Sequence, residues 1–316
     1  IYVPGGQAPY PSSLVMTAVP ARIAGCERVA ACSPPGPDGE PPAAVLAAAA
    51  LLGVDDVFAV GGAQAVAAMA WGTDTVPAVD KIVGPGSRWV NQAKLAVFED
   101  VAVDLPAGPS EVLVWTDDGA DPGLVAVELL AQAEHGPDSL SVAVLPDEAT
   151  ADRVNGALGP RLEATPRREN AAESLSGSAL LVAGDREGAR WVNRIAPEHL
   201  VILRENPETA LARVRHAGSV FLGPDTPVAA GDYASGTNHV LPTRTRARGA
   251  GGLDVDDFGT WIQVQRMDRS GLEALGPTIV ELAEWEGFAA HADSVRERLA
   301  TDGPDAGPAA AGGGTS

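Results

Sequence analysis

Short apolar runs recur along most of the chain and are separated by segments with helical periodicity. The apolar runs predict strands at 28–32, 56–60, 81–83, 101–104, 112–115, 141–145, 179–183, 200–203 and 218–222. The segments with helical spacing predict helices at 42–52, 63–69, 89–94, 122–135, 149–175, 187–195, 208–214 and 271–299. Strands that alternate with helices in this way are typical of an α/β fold, in which a parallel sheet carries helices on both faces.

Three segments show no regular pattern. The opening segment 2–13, which contains Tyr2 and Tyr10, is rich in turn-forming residues, and we expect it to present an exposed aromatic residue. A long irregular loop follows the last predicted strand, and its part 231–243 combines acid, amide, histidine and hydroxyl side chains. Loops of this composition carry function more often than they merely connect elements. The tail 303–316 is rich in Pro, Ala and Gly and is predicted to be disordered.

Composition limits the possible partners. The chain of 316 residues has a net charge of −20, which argues against a nucleic acid or an anionic membrane as partner. Its length suits two domains, and no apolar run is long enough to span a bilayer. Two cysteines, Cys26 and Cys32, cannot form a disulfide framework, so we expect a cytoplasmic protein. Because the chain begins at Ile1 without an initiator Met, we expect it to be a fragment.

Gln132 and His135 are the first candidates for a metal site. They lie three residues apart on one predicted helix, so their side chains face the same side. Histidine is the commonest metal ligand, whereas an amide oxygen is a weak one that needs stronger partners. Four of the five histidines stand beside or within two residues of Glu, Gln, Asn or Asp, namely His135, His199, His239 and His291. A zinc-type site and ordinary histidines at helix ends both fit this pattern.

Glu198 and His199 are the candidates for acid–base chemistry. They follow Pro197, which ends a predicted helix. A histidine near its ordinary pKa of about 6.5 exchanges protons at neutral pH, and a neighbouring carboxylate can act as a second base. An ordinary connection between a helix and a strand explains the pair as well.

Two glycine turns, at 61–62 and 84–86, lead from a predicted strand into a predicted helix. Such turns present backbone N–H groups to which a phosphate can bind. Neither turn matches the dinucleotide-binding fingerprint, so nucleotide binding and a plain strand–helix connection both remain open.

Nine motifs, in this order along the chain, resemble those of the histidinol dehydrogenases. They are Tyr-Val-Pro-Gly-Gly at 2–6, Gly-Gly-Ala-Gln-Ala at 61–65, Val-Gly-Pro-Gly at 83–86, Pro-Ala-Gly-Pro-Ser-Glu-Val at 106–112, Leu-Leu-Ala-Gln-Ala-Glu-His at 129–135, Ala-Pro-Glu-His-Leu at 196–200, Gly-Asp-Tyr at 231–233, Asn-His-Val-Leu-Pro-Thr at 238–243 and Glu-Gly-Phe-x-x-His at 286–291. Each motif alone is modest evidence, but nine in the right order are specific. The resemblance covers residues 1 to about 298.

The resemblance implies a role for each matching residue. The implied zinc ligands are Gln132, His135, Asp232 and His291. The implied catalytic pair is Glu198 and His199. Substrate binding is implied for Ser110, His239 and Glu286, together with the zinc ligands and His199. The positions that bind NAD match Tyr2, Gln64 and Ser87.

The activity that the resemblance implies is the zinc-dependent oxidation of L-histidinol to L-histidine through L-histidinal, with reduction of two NAD. These are the last two steps of histidine biosynthesis. His199 accepts the hydroxyl proton as hydride leaves for NAD, and Glu198 activates the water that attacks histidinal. One zinc ion per subunit mainly orients the substrate.

The implied architecture consists of two incomplete Rossmann-like parallel-sheet units and a small C-terminal helical segment. We expect an NAD-side domain at 1–108, a second Rossmann-like domain at 109–252 that lacks its N-terminal half, and a helical segment at 253–302. The family forms homodimers in which the C-terminal segment crosses to the partner, so Glu286 and His291 are expected to serve the neighbouring site.

The chain departs from the family pattern at two positions. Ser87 stands where the family usually has Asn, and its shorter side chain puts the affinity for NAD in question. Gly249 stands where the family usually has an aromatic residue.

Two other functions remain open: a related zinc- and NAD-dependent dehydrogenase of another small polyol, such as sulfopropanediol, and an inactive truncated fragment. Zinc content distinguishes an inactive fragment from an active enzyme, because a degenerate chain need not hold metal stoichiometrically.

Overall fold

The computed structural model describes residues 1–5, 8–104 and 108–301. The predicted disordered tail 303–316 lies outside the described residues, as do parts of two motifs, at 6 and 106–107. The chain divides into two compact units, Ile1–Thr260 and Trp261–Ser316. The division into domains at 1–108, 109–252 and 253–302 stays a prediction. No helix in the described part of the chain is long and apolar enough to span a membrane.

The first part of unit one contains four short strands and four helices. In chain order they are α1 (Pro11–Ile23), β1 (Ala30–Ser33), α2 (Ala43–Leu52), β2 (Asp56–Ala59), α3 (Gly62–Trp71), β3 (Lys81–Ile82), α4 (Arg88–Ala96) and β4 (Ala102–Val103). Strand β1 pairs with β2 and β3 pairs with β4, both in parallel.

Residues 1–3 join these two pairs of strands. The backbone N–H of Val3 donates to Cys32 of β1 at 2.9 Å, and that of Tyr2 donates to Val83, just after β3, at 2.7 Å. Only a glycine fits at position 84, where φ is +117° and a Cβ atom would collide with the carbonyl oxygen of Tyr2. Tyr2 is consequently buried, and Tyr10 is half-buried, so the sequence-based expectation of an exposed aromatic residue in this segment was wrong.

The second part of unit one forms a five-stranded parallel sheet. Its elements are β5 (Glu111–Thr116), α5 (Pro122–Ala133), β6 (Leu140–Leu145), α6 (Glu148–Ala164), α7 (Arg168–Ser176), β7 (Ala179–Val182), α8 (Asp185–Ile195), β8 (His199–Leu203), α9 (Pro207–Leu211), β9 (Ser219–Leu222) and α10 (Val228–Tyr233). The strand order is β7-β6-β5-β8-β9.

Helices cover both faces of this sheet, as the sequence pattern predicts. Val112 of β5 packs with Val125 of α5 on one face, and Trp115 packs with Val192 of α8 on the other. Every residue of β5 and of β8 is buried, which is why these strands read as continuous apolar runs.

The second unit contains a pair of helices, α11 (Arg269–Trp285) and α12 (Ala289–Ala300). The side chain of Asp268 caps α11 by accepting a hydrogen bond from the backbone N–H of Gly271 at 2.8 Å. The helices pack closely at Gly276, where a Cβ atom would lie 2.9 Å from Leu299.

The structure corrects several sequence-based element boundaries. The helix α1 begins at the end of the turn-rich segment 2–13 and continues to residue 23, where no element was predicted; Leu14, Ala18 and Ala21 form its buried stripe, and Pro20 inside the helix masks the pattern. The predicted helices 149–175 and 271–299 are each divided into two. The predicted loop 231–243 begins within helix α10.

Candidate active site

The predicted catalytic residues lie at the amino edge of the five-stranded sheet. Glu111 and His199 begin the adjacent parallel strands β5 and β8, and Val112 lies beside His199 in the register. Ser110 and Glu198 directly precede these strands. Pairing of β5 with β8 thus brings Ser110 and Glu111 next to Glu198 and His199, which are distant in sequence.

Glu198 is a buried carboxyl group with defined partners. Its Oε2 atom accepts hydrogen bonds from Ser110 Oγ at 2.7 Å and from the backbone N–H of Glu111 at 2.8 Å. Burial raises the pKa of Glu198 from 4.5 to about 8; the hydrogen bonds oppose this shift, while the charges of Glu111 and Asp232 add to it. The carboxyl group therefore changes its protonation state near neutral pH.

His199 is buried beside Glu198, and its orientation is fixed by a backbone contact. Its Nδ1 atom lies 3.0 Å from the carbonyl oxygen of Glu111 and 3.6 Å from Glu198 Oε2. Because a carbonyl oxygen only accepts, this hydrogen bond requires a proton on Nδ1 and leaves the lone pair on Nε2. Burial lowers the pKa of His199, so the ring is neutral at pH 7 and Nε2 can accept a proton.

The turn before the pair holds it in place. Ala196 has a φ of +49°, a left-handed conformation that costs a residue other than glycine about 1–2 kcal/mol. The carbonyl oxygen of Glu198 accepts from the backbone N–H of Ser219 at 2.8 Å. Gly218 leaves room for this approach, because a Cβ atom there would lie 2.6 Å from that carbonyl oxygen. Strained backbone of this kind is concentrated at functional sites.

The predicted zinc ligands of unit one come from two elements. Gln132 lies in the last turn of α5, and His135 lies just beyond that helix, whereas the sequence pattern placed both within it. Asp232 lies in α10, and its backbone carbonyl oxygen is 3.1 Å from Nδ1 of His239. His135 reaches solvent, yet the surrounding protein lowers its pKa; the negative charge of Asp232 opposes this effect, so the two side chains are close enough to interact.

The side chain of Gln132 provides an independent test of whether a metal fits. Its Nε2 atom is buried and has no hydrogen-bond partner among the described residues. A rotation of the amide by half a turn places Oε1 at the same position, where a cation would satisfy it. A neutral imidazole and a carboxylate nearby complete a donor set that suits zinc.

The predicted substrate contact Glu286 and the predicted zinc ligand His291 belong to the second unit. Glu286 follows α11, and His291 lies in the first turn of α12, where its ring contacts that of Phe288 at 5.2 Å. Both side chains are exposed. Within the described residues, no three His, Cys, Asp or Glu side chains come together as a metal site.

A cavity of about 840 Å³ is lined in part by Ser110, whose hydroxyl group donates to the predicted catalytic residue Glu198. One wall contains Ser110 and His135, and another contains Ser87 at the start of α4. The turn at 84–87 follows β3 and therefore lies at the carboxyl edge of its strands, where ligands of open α/β sheets usually bind. The cavity thus joins a predicted cofactor residue to predicted substrate residues.

The other two predicted cofactor residues lie near the glycine turn at 61–62. The hydroxyl oxygen of Tyr2 accepts a hydrogen bond from the backbone N–H of Gly62 at 3.0 Å. Gln64 lies in the first turn of α3, and its side chain is exposed. The hydroxyl group of Ser87 does not cap α4.

Comparison with known proteins identifies the family. The sequence matches the family model for histidinol dehydrogenase over residues 1–299. The chain belongs to the histidinol dehydrogenase family. It is 50% identical over 300 residues to the histidinol dehydrogenase of Methanothermobacter thermautotrophicus, covering 94% of this chain and 70% of the relative. It is 49% identical over 302 residues to that of Natronomonas pharaonis, covering 95% of this chain and 71% of the relative.

Solved structures agree with this membership. The crystal structure of histidinol dehydrogenase from Elizabethkingia anophelis matches with a TM-score of 0.91 and 41% identity, covering 94% of this chain and 69% of that one. An acetylating aldehyde dehydrogenase from Geobacillus thermoglucosidasius matches with a TM-score of 0.54 at 14% identity, which reflects a shared fold alone. The resemblance drawn from the nine motifs is therefore confirmed. By their name, histidinol dehydrogenases are oxidoreductases.

Sequence reasoning missed three residues at this histidinol dehydrogenase site. Arg244 and Arg246 line the cavity, and Glu111 contacts both predicted catalytic residues. The motif at 106–112 contains Glu111, but its spacing gives no sign that its backbone groups hold the pair. The arginines follow the predicted functional loop 231–243, and only the folded chain places them at the same cavity as Ser110.

Proposed function

We propose that this protein oxidises L-histidinol to L-histidine through L-histidinal and reduces two NAD in the last two steps of histidine biosynthesis. The single observation that carries the proposal is the neutral His199 beside the buried Glu198, next to a cavity that Ser87 and Ser110 share. Family membership indicates the substrate class.

In this proposal His199 is the base of both oxidation steps. Its Nδ1–H is directed at the carbonyl oxygen of Glu111, so Nε2 takes the proton from the substrate hydroxyl group as hydride leaves the carbinol carbon for NAD. A correctly placed base of this kind accelerates a reaction about a hundredfold to ten-thousandfold.

Glu198 activates the water that converts bound histidinal into its hydrate. A carboxyl group with a pKa of about 8 is a stronger base than an ordinary glutamate, and its ionisation falls near the working pH. Ser110 holds Oε2 of the carboxylate, which leaves Oε1 to accept the proton from water.

Zinc is proposed to be held by Gln132, His135 and Asp232, with His291 as the fourth ligand. The unsatisfied amide of Gln132 and the electrostatic interaction of Asp232 with His135 support this assignment. When bound, the metal would act as a Lewis acid that orients the substrate. The side chains of His239 and Glu286 are proposed to complete the substrate site.

NAD is proposed to occupy the cavity beside Ser87, with Tyr2 and Gln64 as further contacts. The cavity also contains Arg88, Arg244 and Arg246 and one acid, Asp138, so its charged lining is mainly cationic although the chain carries a net charge of −20. Cationic side chains beside a glycine turn suit the pyrophosphate of a dinucleotide.

The active protein is proposed to be a homodimer in which the C-terminal segment crosses to the partner, so that Glu286 and His291 serve the neighbouring site. Large apolar side chains are exposed along this segment, among them Trp261, Leu282 and Trp285. Exposed apolar surface of this extent is typical of protein–protein interfaces.

The experiment that tests the proposed function measures NADH formed per L-histidinol consumed by zinc-loaded protein. Two NADH per substrate, L-histidine as product, and loss of activity in His199→Ala are expected. No NADH from L-histidinol by a folded dimer with bound zinc would contradict the assignment, and activity on sulfopropanediol instead would indicate the related polyol dehydrogenase.

A further inference from the structure

Glu111 makes a hydrogen bond to each member of the catalytic pair. It is the first residue of β5 and is buried. Its backbone N–H donates to Glu198 Oε2 at 2.8 Å, and its carbonyl oxygen accepts from Nδ1 of His199 at 3.0 Å. The position of one peptide segment therefore sets both the direction of the Glu198 carboxylate and the tautomer of His199.

The carboxylate of Glu111 anchors the start of β5 to a second segment of the chain, at Arg244. Its Oε1 atom accepts a hydrogen bond from the backbone N–H of Arg244 at 2.8 Å. Hydrogen bonding from the backbone of Glu198 also stabilises the ionised form and opposes the increase in pKa that burial causes. The backbone N–H of Glu111 thus donates to the Glu198 carboxylate, while the Glu111 carboxylate accepts from Arg244 and lies near the backbone of Glu198.

The segment that Glu111 anchors is strained and forms part of the cavity wall. Arg244 and Thr245 have φ values of +53° and +64°, which residues with side chains rarely adopt. The hydroxyl group of Thr243 accepts from the backbone N–H of Gly108, so this segment crosses the start of β5. A buried acceptor at Glu111 compensates for the cost of this conformation at Arg244.

We propose that Glu111 is a positioning residue of the catalytic site: its carboxylate fixes the amino end of β5 against Arg244 and Glu198, so that its own backbone holds Glu198 and His199 in their reactive orientation. The proposal rests on the proposed function for its kinetic consequences. A purely structural carboxylate would affect stability alone.

The test compares Glu111→Gln, Glu111→Leu and Glu111→Ala. Gln keeps an acceptor for the Arg244 N–H, Leu keeps the approximate volume without an acceptor, and Ala removes both. We expect kcat for L-histidinol to fall about a hundredfold in the Leu and Ala variants, since small misplacements have effects of this size. The KM should change little, and Gln should restore most of kcat.

The second readout is the tautomer of His199, followed by nitrogen-15 NMR of the imidazole rings. The chain has five histidines, so the His199 signals are assigned by comparison with His199→Ala. The wild-type protein and Glu111→Gln should carry the proton on Nδ1, whereas Leu and Ala variants should populate both tautomers. This readout needs no turnover, so it tests the positioning role even if the proposed substrate is wrong.

Asp117 provides a matched control at the opposite end of the same strands. It follows β5, and its carboxylate accepts from the backbone N–H of Glu205, just beyond β8, at 2.7 Å. Asp117→Ala should lower thermal stability without changing kcat or the tautomer. Wild-type kcat and a wild-type tautomer in folded Glu111→Leu and Glu111→Ala would overturn the proposal.

Discussion

Ser110 Oγ lies 2.7 Å from Oε2 of Glu198, although 88 residues separate them in the chain. The two residues meet because the strands that follow them, β5 and β8, are parallel neighbours in the sheet. This hydrogen bond stabilises the ionised form of Glu198 and opposes the increase in its pKa that burial causes. The hydroxyl group of Ser110 therefore helps to keep the proposed base available at neutral pH.

Replacement of Ser110 by alanine should weaken catalysis and shift its pH dependence. Without the hydroxyl group the pKa of Glu198 rises further, so the acidic limb of the kcat/KM profile should move to higher pH. A hydrogen bond to a charged group contributes about 1.5–3 kcal/mol, which corresponds to about a ten- to hundredfold loss. Ser110→Thr keeps a hydroxyl group and serves as the control. An unshifted profile in Ser110→Ala would contradict this role.

Stability should depend on pH through Glu198. Its pKa is about 8 in the folded protein and near 4.5 in the unfolded chain, so its contribution to stability is fully present below pH 4.5 and is lost as pH rises through 8. Each pKa unit corresponds to about 1.4 kcal/mol. Denaturation of wild-type protein and Glu198→Gln between pH 5 and 8.5 measures the effect. The wild-type free energy of unfolding should decline more steeply with pH; parallel curves would argue against the raised pKa.

Replacement of Gln132 by leucine should remove zinc without unfolding the protein. Because Nε2 of Gln132 has no partner among the described residues, an apolar side chain of similar size costs the metal-free protein little stability. Loss of even an outer-shell partner reduces metal affinity about ten- to a hundredfold, and loss of a ligand should cost at least as much. Zinc content under competition with a chelator measures the metal affinity, and thermal melting in EDTA measures the stability of the metal-free protein. Gln64→Leu should retain zinc; wild-type zinc affinity in Gln132→Leu would exclude Gln132 as a ligand.

Mixed dimers test whether His291 serves the neighbouring site. The variants His199→Ala and His291→Ala should each be inactive alone. If His291 crosses, a mixed dimer contains one site with both residues intact, and random mixing at equal concentrations should recover about a quarter of wild-type activity. Recombination through denaturation and refolding, followed by NADH formation, measures this. No recovery in verified mixed dimers would mean that His291 acts in its own chain.

The sequence predicted the parallel α/β fold because β5 and β8 are buried throughout and read as apolar runs. It missed α10, whose six residues are too few to show helical periodicity. It also missed α1, where Pro20 interrupts a stripe of small apolar residues.

The candidate site was predicted from motifs, whereas its organisation came from the fold. The pair of Glu198 and His199 was visible in the sequence, but the roles of their atoms depend on contacts with Glu111. Those contacts involve the backbone N–H and carbonyl groups of Glu111. Because every residue other than proline has both groups, the residue type does not reveal such contacts. For His291 the structure adds nothing to the sequence-based prediction: its side chain is exposed, and the family resemblance alone suggests its role.

The most direct test of the account separates the two oxidation steps in a single turnover. Zinc-loaded wild-type protein in excess over L-histidinol, with saturating NAD, should form two NADH per substrate. Glu198→Gln keeps His199 but lacks the base that activates water, so it should form one NADH and retain histidinal. Two NADH from Glu198→Gln at the wild-type rate, or none from the wild-type protein, would contradict the proposed division of work between Glu198 and His199.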